Sequence, residues 1–253
     1  MFNPKTERIK KLAELFPEII SELENIFGES ANIYIDWQNV FHWQEKLGWH
    51  FNFRRTKQFF NSFNTVQSIR IYKGTLDGDT KSEEQIRELE CLKYIVSTKR
   101  VKLIPLSIDV SSISSDSPDI LKKFIDKNLL SKLDLETIEY LNNKLSDLNK
   151  QGIFKIEKQK CNFDVELAMD VQKDIDADVA RNFIILSGDS DFAGTISRIK
   201  ENGKNAIIFS TSRRVTSELN QAEVPIFDVR KIKEFVCWPK EIPQNIKSKI
   251  DFL

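Results

Sequence analysis

Two stretches of this chain, Asn182-Phe183-Ile184-Ile185-Leu186 and Ala206-Ile207-Ile208-Phe209, are almost wholly apolar over the length of one strand. A strand that reads this way has both faces buried, as in a parallel sheet covered by helices on each side; a half-exposed strand alternates instead. Ala31-Asn32-Ile33-Tyr34-Ile35, Ser68-Ile69-Arg70-Ile71-Tyr72 and Val101-Lys102-Leu103-Ile104-Pro105 are more mixed runs of the same kind, rich in β-branched and aromatic residues. Between these runs the spacing of apolar residues predicts helices over 54–63, 81–97, 163–174, 191–200 and 213–220. Alternating strands and helices imply an α/β fold with a central, mostly parallel sheet of about five strands.

Two regions stand outside this rhythm. In the first 30 residues Ile9, Leu12, Phe16, Ile19, Leu23 and Phe27 recur at helical spacing, and Pro17 divides the segment because it lacks the N–H that a continuous helix needs. After Pro105 a serine-rich patch leads to two amphipathic helices. Ser117 and Pro118 open the first, and Leu135, Ile138, Leu141, Leu145 and Leu148 stripe the second. The expected organisation is an N-terminal helical extension at 1–30, one domain at 31–236 with a helical insertion at 107–152, and a tail at 237–253. Ile153 to Ile156 reads as an edge strand leading back. The apolar stripes of the insertion have two readings, packing on the domain and self-association.

Lys plus Arg and Asp plus Glu both number 38, so any role in binding a polyanion must come from local sorting of charge. The acids are sorted. Asp36 ends the first strand, and Asp189 and Asp191 follow the 182–186 strand in Ser187-Gly188-Asp189-Ser190-Asp191-Phe192. In an open parallel sheet, ligands bind outside the carboxyl ends of the strands, where the chain changes direction across the sheet. Asp164, in Lys160-Cys161-Asn162-Phe163-Asp164, opens a helix. Carboxylates gathered in one place repel one another unless a hard cation neutralises them. Asp174, Asp176 and Asp178 read as a solvated connection without chemistry. Arg54-Arg55, Lys99-Arg100-Val101-Lys102, Lys155 to Lys160 and Arg213-Arg214 read individually as surface charge. Trp37, Phe41, Trp43, Trp49, Phe51 and Phe53 read as core and lid residues. Three widely spaced cysteines and two histidines exclude a disulfide framework and a His-rich metal site. No apolar stretch reaches the roughly 18 residues of a membrane span, and the amino terminus lacks the apolar core of a secretion signal. A cytoplasmic protein is expected.

Ile33-Tyr34-Ile35-Asp36-Trp37-Gln38-Asn39, Lys160 to Asp170, Leu186-Ser187-Gly188-Asp189-Ser190-Asp191-Phe192 and Gly203-Lys204-Asn205-Ala206 together resemble the NYN family of PIN-like ribonucleases, and within it the LabA-like branch. The step from Lys160 to Asp164 is one residue longer than the family's Lys-Gly-x-Asp. The resemblance implies a PIN-like three-layer fold and a metal-dependent ribonuclease leaving a 5′-phosphate. It implies that Asp36, Asp164 and Asp189 hold Mg²⁺ or Mn²⁺, with Asp191 as a fourth acid. Asn39 would orient Asp36 or touch the scissile phosphate, and Ser187 would support the loop; Asp170, about 600° of helix beyond Asp164, does not share its face and is a weaker candidate. Lys160, Arg213 and Arg214 are the candidate contacts to RNA. Three other readings compete with this one. A haloacid-dehalogenase-like phosphatase needs an Asp where Gln38 stands. A dinucleotide-binding enzyme needs a glycine-rich turn after the first strand. A non-catalytic scaffold binding RNA or a protein partner stays open.

Overall fold

The computed structural model describes residues 1–76, 78–211 and 224–250. Arg213, Arg214 and the helix expected over 213–220 lie outside the described residues. The described chain forms two compact units, Val101–Lys160 and the remainder.

In chain order the elements are α1 (Glu7–Leu15), α2 (Pro17–Ile26), β1 (Ala31–Asp36), α3 (Trp37–Leu47), α4 (Phe53–Phe60), β2 (Val66–Thr75), α5 (Thr80–Cys91) and β3 (Ile95–Arg100). Then come β4 (Lys102–Ser107), α6 (Lys127–Leu130), α7 (Leu135–Lys150) and β5 (Lys155–Lys160). The larger unit resumes with α8 (Asp164–Asp176), β6 (Asn182–Leu186), α9 (Ala193–Glu201), β7 (Asn205–Ser210), β8 (Ile226–Asp228), α10 (Lys233–Val236) and α11 (Gln244–Ile250).

The larger unit holds a six-stranded sheet in the order β3-β2-β1-β6-β7-β8, every neighbouring pair parallel. Strand alternation sorts its side chains into two cores. Ile33, Ile35, Ile184, Leu186, Ile207 and Phe209 face one cluster, which also takes Ile9 and Leu12 of α1, Leu23 of α2, and Phe59 and Phe60 of α4. Tyr34, Phe183, Ile185, Ala206 and Ile208 face the other, covered by Leu167 and Val171 of α8 and Ile196 and Ile199 of α9. The result is three layers. Pro17 stands at the first position of α2, where its missing N–H costs nothing, and the Thr6 hydroxyl caps α1 by accepting from the Ile9 amide at 3.2 Å. Beyond 236, Cys237, Ile242 and Ile250 are buried in the first of these cores. Among the described residues no helix is long and apolar enough to cross a membrane.

Two expectations about the strands change. The helix expected over 81–97 ends at Cys91, and Ile95–Arg100 becomes the third strand of the sheet. Lys93 takes a left-handed conformation, φ 59°, and the Tyr94 amide donates to the Leu89 carbonyl at 3.1 Å, which turns the chain out of the helix. As an edge strand β3 needs no apolar run, and Ser97-Thr98-Lys99-Arg100 shows none. The 101–105 run does not join the main sheet. Its strand β4 pairs antiparallel with β5, Lys102 opposite Lys160 through Ser107 opposite Lys155. Pro105 cannot donate a ladder hydrogen bond, which suits it to a two-stranded ribbon and not to a central strand.

In the smaller unit the first expected helix divides into a single 3₁₀ turn, Leu121–Lys123, and α6. Asp126 restarts the chain by accepting from the Asn128 amide at 2.8 Å. Val110, Ile120, Leu121 and Leu130 form a small core with Leu141 and Leu145 of α7 beside it. Asn149, buried at the end of α7, ties the entering and leaving chains together. Its amide donates to the Ile108 and Ile153 carbonyls at 3.1 and 3.0 Å and its carbonyl accepts from the Val110 amide at 2.9 Å. Asn149→Ala leaves these buried backbone groups unpaired, at a cost of about 2 kcal/mol. The expected readout is hydrogen exchange at Val110 accelerated roughly thirty-fold; unchanged exchange there would count against the clamp.

Candidate active site

The chain builds outward from β1 to β2 and β3, then crosses to β6, β7 and β8 on the other side. The carboxyl ends of β1 and β6 therefore flank the point where the strand order reverses, the place where open α/β sheets hold ligands. Asp36 is the last residue of β1 and Ser187 the first after β6.

Asp36 is 9% exposed, and each of its oxygens is engaged in local structure. One carboxylate oxygen caps α3 by accepting from the Asn39 amide at 3.3 Å, and the other accepts from the Ser187 hydroxyl at 3.1 Å. Ser187 in turn accepts from the Asp189 amide at 3.2 Å, and the Asn39 side-chain carbonyl accepts from the Gly188 amide at 3.2 Å. The Asp189 carboxylate accepts from the Asp191 amide at 3.2 Å and so shapes the turn that carries Asp191. Each oxygen of Asp36 keeps a further lone pair. Burial pushes the Asp36 carboxyl up to about 6, against its hydrogen bonds from Asn39 and Ser187, and the nearby charges of Asp164 and Asp189 add to the rise.

Asp164 reaches this edge from the start of α8. Phe163 is buried against Tyr72, ring centroids 6.0 Å apart, and anchors the helix end. The Asn162 side chain caps it by accepting from the Asp164 amide at 2.8 Å. Partial burial raises the Asp164 carboxyl, and the charges of Asp189, Asp191 and Glu166 act in the same direction. Asp36, Asp164, Asp189 and Asp191, drawn from three separate segments, thus share one electrostatic neighbourhood. Among the described residues no three His, Cys, Asp or Glu side chains close into a compact metal cage.

The donor set nevertheless suits a hard divalent ion. Mg²⁺ binds through one or two carboxylates with waters and substrate phosphate completing its shell, and needs no all-protein cage. A carboxyl raised chiefly by burial, and further by neighbouring acids, is a site whose ionised form a cation stabilises.

The other residues singled out by the sequence have the following surroundings. Asp170 accepts from the Tyr72 hydroxyl and the Lys173 ammonium, both at 3.0 Å, and so holds α8 on the sheet. Asp174, expected in solvent, is 6% exposed and accepts from Asn32, Tyr34 and Arg70. Lys160 ends the ribbon of the smaller unit. Of the aromatic set, Trp43, Trp49, Phe51 and Phe53 are buried as expected and Phe41 is 47% exposed. The residue that sequence reasoning missed is Lys99. From β3 it donates to Glu166 at 2.6 Å and to the Asn162 carbonyl at 3.1 Å, placing a cation beside the start of α8. Its signal, one lysine in a basic pair, is indistinguishable from surface charge until β3 is placed.

The chain is 23% identical over 205 residues to the Low amplitude and bright protein LabA of Synechococcus elongatus, covering 81% of this chain and 86% of that protein. The crystal structure of a protein of unknown function from Vibrio parahaemolyticus RIMD 2210633 shares the fold, with a TM-score of 0.50 and 16% identity over 82% of this chain and 96% of that one. A family model of the NYN domain matches residues 30–228, a span that contains Asp36, Asp164, Asp189 and Asp191, and the chain belongs to this NYN domain family, whose members are generally nucleases.

Proposed function

We propose that the chain is a metal-dependent ribonuclease acting in the cytoplasm, with Asp36, Asp164, Asp189 and Asp191 holding Mg²⁺ or Mn²⁺. The observation that carries this reading is the gathering of acids from three segments at the reversal of strand order, with Asp36 raised to about 6 among them. A divalent ion held by these acids would supply a Lewis acid for the phosphoryl oxygen and an acidified water, so no nucleophilic side chain would be required. The chain's own contribution is orientation. Ser187 and the Asn39 amide fix both oxygens of Asp36, while the Asn39 side chain fixes the turn that carries Asp189. Lys160, Arg213 and Arg214 supply positive charge for the RNA backbone in this reading.

One observation favours a different reading, a scaffold that binds RNA or a protein without cleaving: the carboxylates do not close into a three-ligand cage among the described residues. Hydrolysis of end-labelled RNA separates the two. The purified chain is expected to release 5′-phosphate products with Mg²⁺ or Mn²⁺ and none with chelator. Asp189→Asn is expected to cost at least about a hundredfold in rate, roughly 3 kcal/mol, with an unchanged circular dichroism spectrum. Cleavage that persists in chelator, or at full rate in Asp189→Asn, would remove the metal-site assignment; no cleavage under any metal would leave the scaffold.

A further inference from the structure

Two basic stretches lie far apart in the chain, Lys99 to Lys102 and Lys155 to Lys160, and the pairing of β4 with β5 lays Lys102 beside the second of them. Directly opposed residues of a ribbon share a face, and the next residue on each strand points to the other face. One face therefore carries Lys102 opposite Lys160, Ile104 opposite Lys158 and Leu106 opposite Ile156. The ribbon's acid, Glu157, lies on the other face, opposite Pro105. All three lysines are exposed, and none is held in an ion pair among the described residues.

This arrangement is unfavourable for the ribbon alone. Like charges directly opposed across strands destabilise the pair, and Lys102 opposite Lys160 is such a pair. Burial does not compensate. Every residue of β5 is exposed, and Ile156, which meets Leu121 and Leu145 along an apolar cavity, is itself 41% exposed. A two-stranded ribbon without a buried face is marginal in water. An anionic chain laid along the lysine face would relieve the repulsion.

We infer that the Lys102, Lys158 and Lys160 face of the β4–β5 ribbon grips the phosphate backbone of a nucleic acid. The choice of nucleic acid over another polyanion rests on the nuclease reading; the charge complementarity rests on the register alone. Lysine contacts of this kind bind without sequence preference and release counterions, so they leave a signature in the salt dependence.

The test is fluorescence anisotropy of a labelled single-stranded RNA of about twenty nucleotides, long enough for a basic groove, with the full chain in chelator so that metal-dependent cleavage is silent. The triple variant Lys102→Gln/Lys158→Gln/Lys160→Gln is compared with Lys122→Gln/Lys127→Gln/Lys150→Gln, which removes equal charge from elsewhere in the same unit. The ribbon variant is expected to bind at least about tenfold more weakly at 100 mM salt and to lower the salt slope by about two, three single-strand phosphate contacts' worth. The control is expected to stay within about twofold in Kd. Lys158→Gln alone, expected to lower the slope by about 0.7, serves if the triple variant does not fold. Equal affinity and slope in the ribbon variants, no RNA binding by the parent chain, or displacement of RNA by polyglutamate at equal charge would each overturn the inference. The nuclease reading is scored separately by cleavage with metal. A chain that cleaves but shows no ribbon effect keeps that reading and loses this one, and a chain that binds through the ribbon without cleaving does the reverse.

Discussion

Asp36→Asn is expected to abolish RNA hydrolysis and, at pH 8 without divalent metal, to make the protein more stable than its parent. The amide is isosteric with the carboxylate. Its oxygen still accepts from the Asn39 amide, and its NH₂ can donate to the Ser187 hydroxyl in place of accepting from it. What disappears is a buried charge beside other acids. A carboxyl held at about 6 in the folded chain against an ordinary 3.8 costs roughly 3 kcal/mol once ionised. The sign follows from linkage: the folded pKa is raised, so the penalty is absent below the ordinary value, grows as pH rises toward about 6 and is complete above it. Parent stability should therefore fall over this window relative to the variant, reaching a gap of about 2–3 kcal/mol at pH 8. In a domain of this size that is roughly 5–10 °C in Tm. Mn²⁺ should raise the parent's Tm and leave the variant's unchanged, since only a ligand of the folded state stabilises it. Thermal unfolding followed at pH 4 and pH 8, with and without Mn²⁺, reads all of this. A variant less stable than its parent at pH 8, or a gap that ignores pH, contradicts the assignment of Asp36 as a destabilised functional acid.

The second large effect lies below the site. Asp174→Ala is expected to destabilise the protein by about 3–5 kcal/mol, because it strands a partly buried guanidinium without its counter-ion. One oxygen of Asp174 accepts from Asn32 at 2.8 Å and from the Tyr34 hydroxyl at 2.7 Å; the other accepts from Arg70 at 2.8 Å. Asn32 and Tyr34 belong to β1, Arg70 to β2 and Asp174 to α8. The cluster therefore sets where α8 lies on the two strands, and α8 carries Asp164 at its other end. Urea unfolding should show a lower midpoint with an unchanged m-value, and Tm should fall by roughly 10 °C. Tyr34→Phe, which removes one hydrogen bond and keeps the ion pair, should cost only about 1 kcal/mol. A loss below about 1 kcal/mol for Asp174→Ala would show that the cluster contributes no net stability.

Much of the site was legible in the linear chain because its acids sit at positions that local rules pick out. Asp36 closes a run of buried residues, Asp189 and Asp191 follow another, and Asp164 begins a helix. Lys99 and Asp174 were not legible, for one shared reason. Each acquires its role from a partner far along the chain: Lys99 from Glu166, Asp174 from Asn32, Tyr34 and Arg70. An isolated lysine or aspartate has the same sequence signature whether it meets solvent or a buried counter-charge.

The amino-acid order by itself determined the alternation of strands and helices, the burial of 182–186 and 206–209 on both faces, and the stations of the four acids. Those depend on periodicity and capping, which act over a few residues. Only the tertiary structure decided that 95–100 and not 101–105 completes the sheet, that 101–160 forms its own unit, and that Lys102 lies against Lys160. Strand pairing joins residues with no local relation, and a mixed, partly charged run such as β3 or β4 is compatible with more than one neighbour until the whole chain has folded.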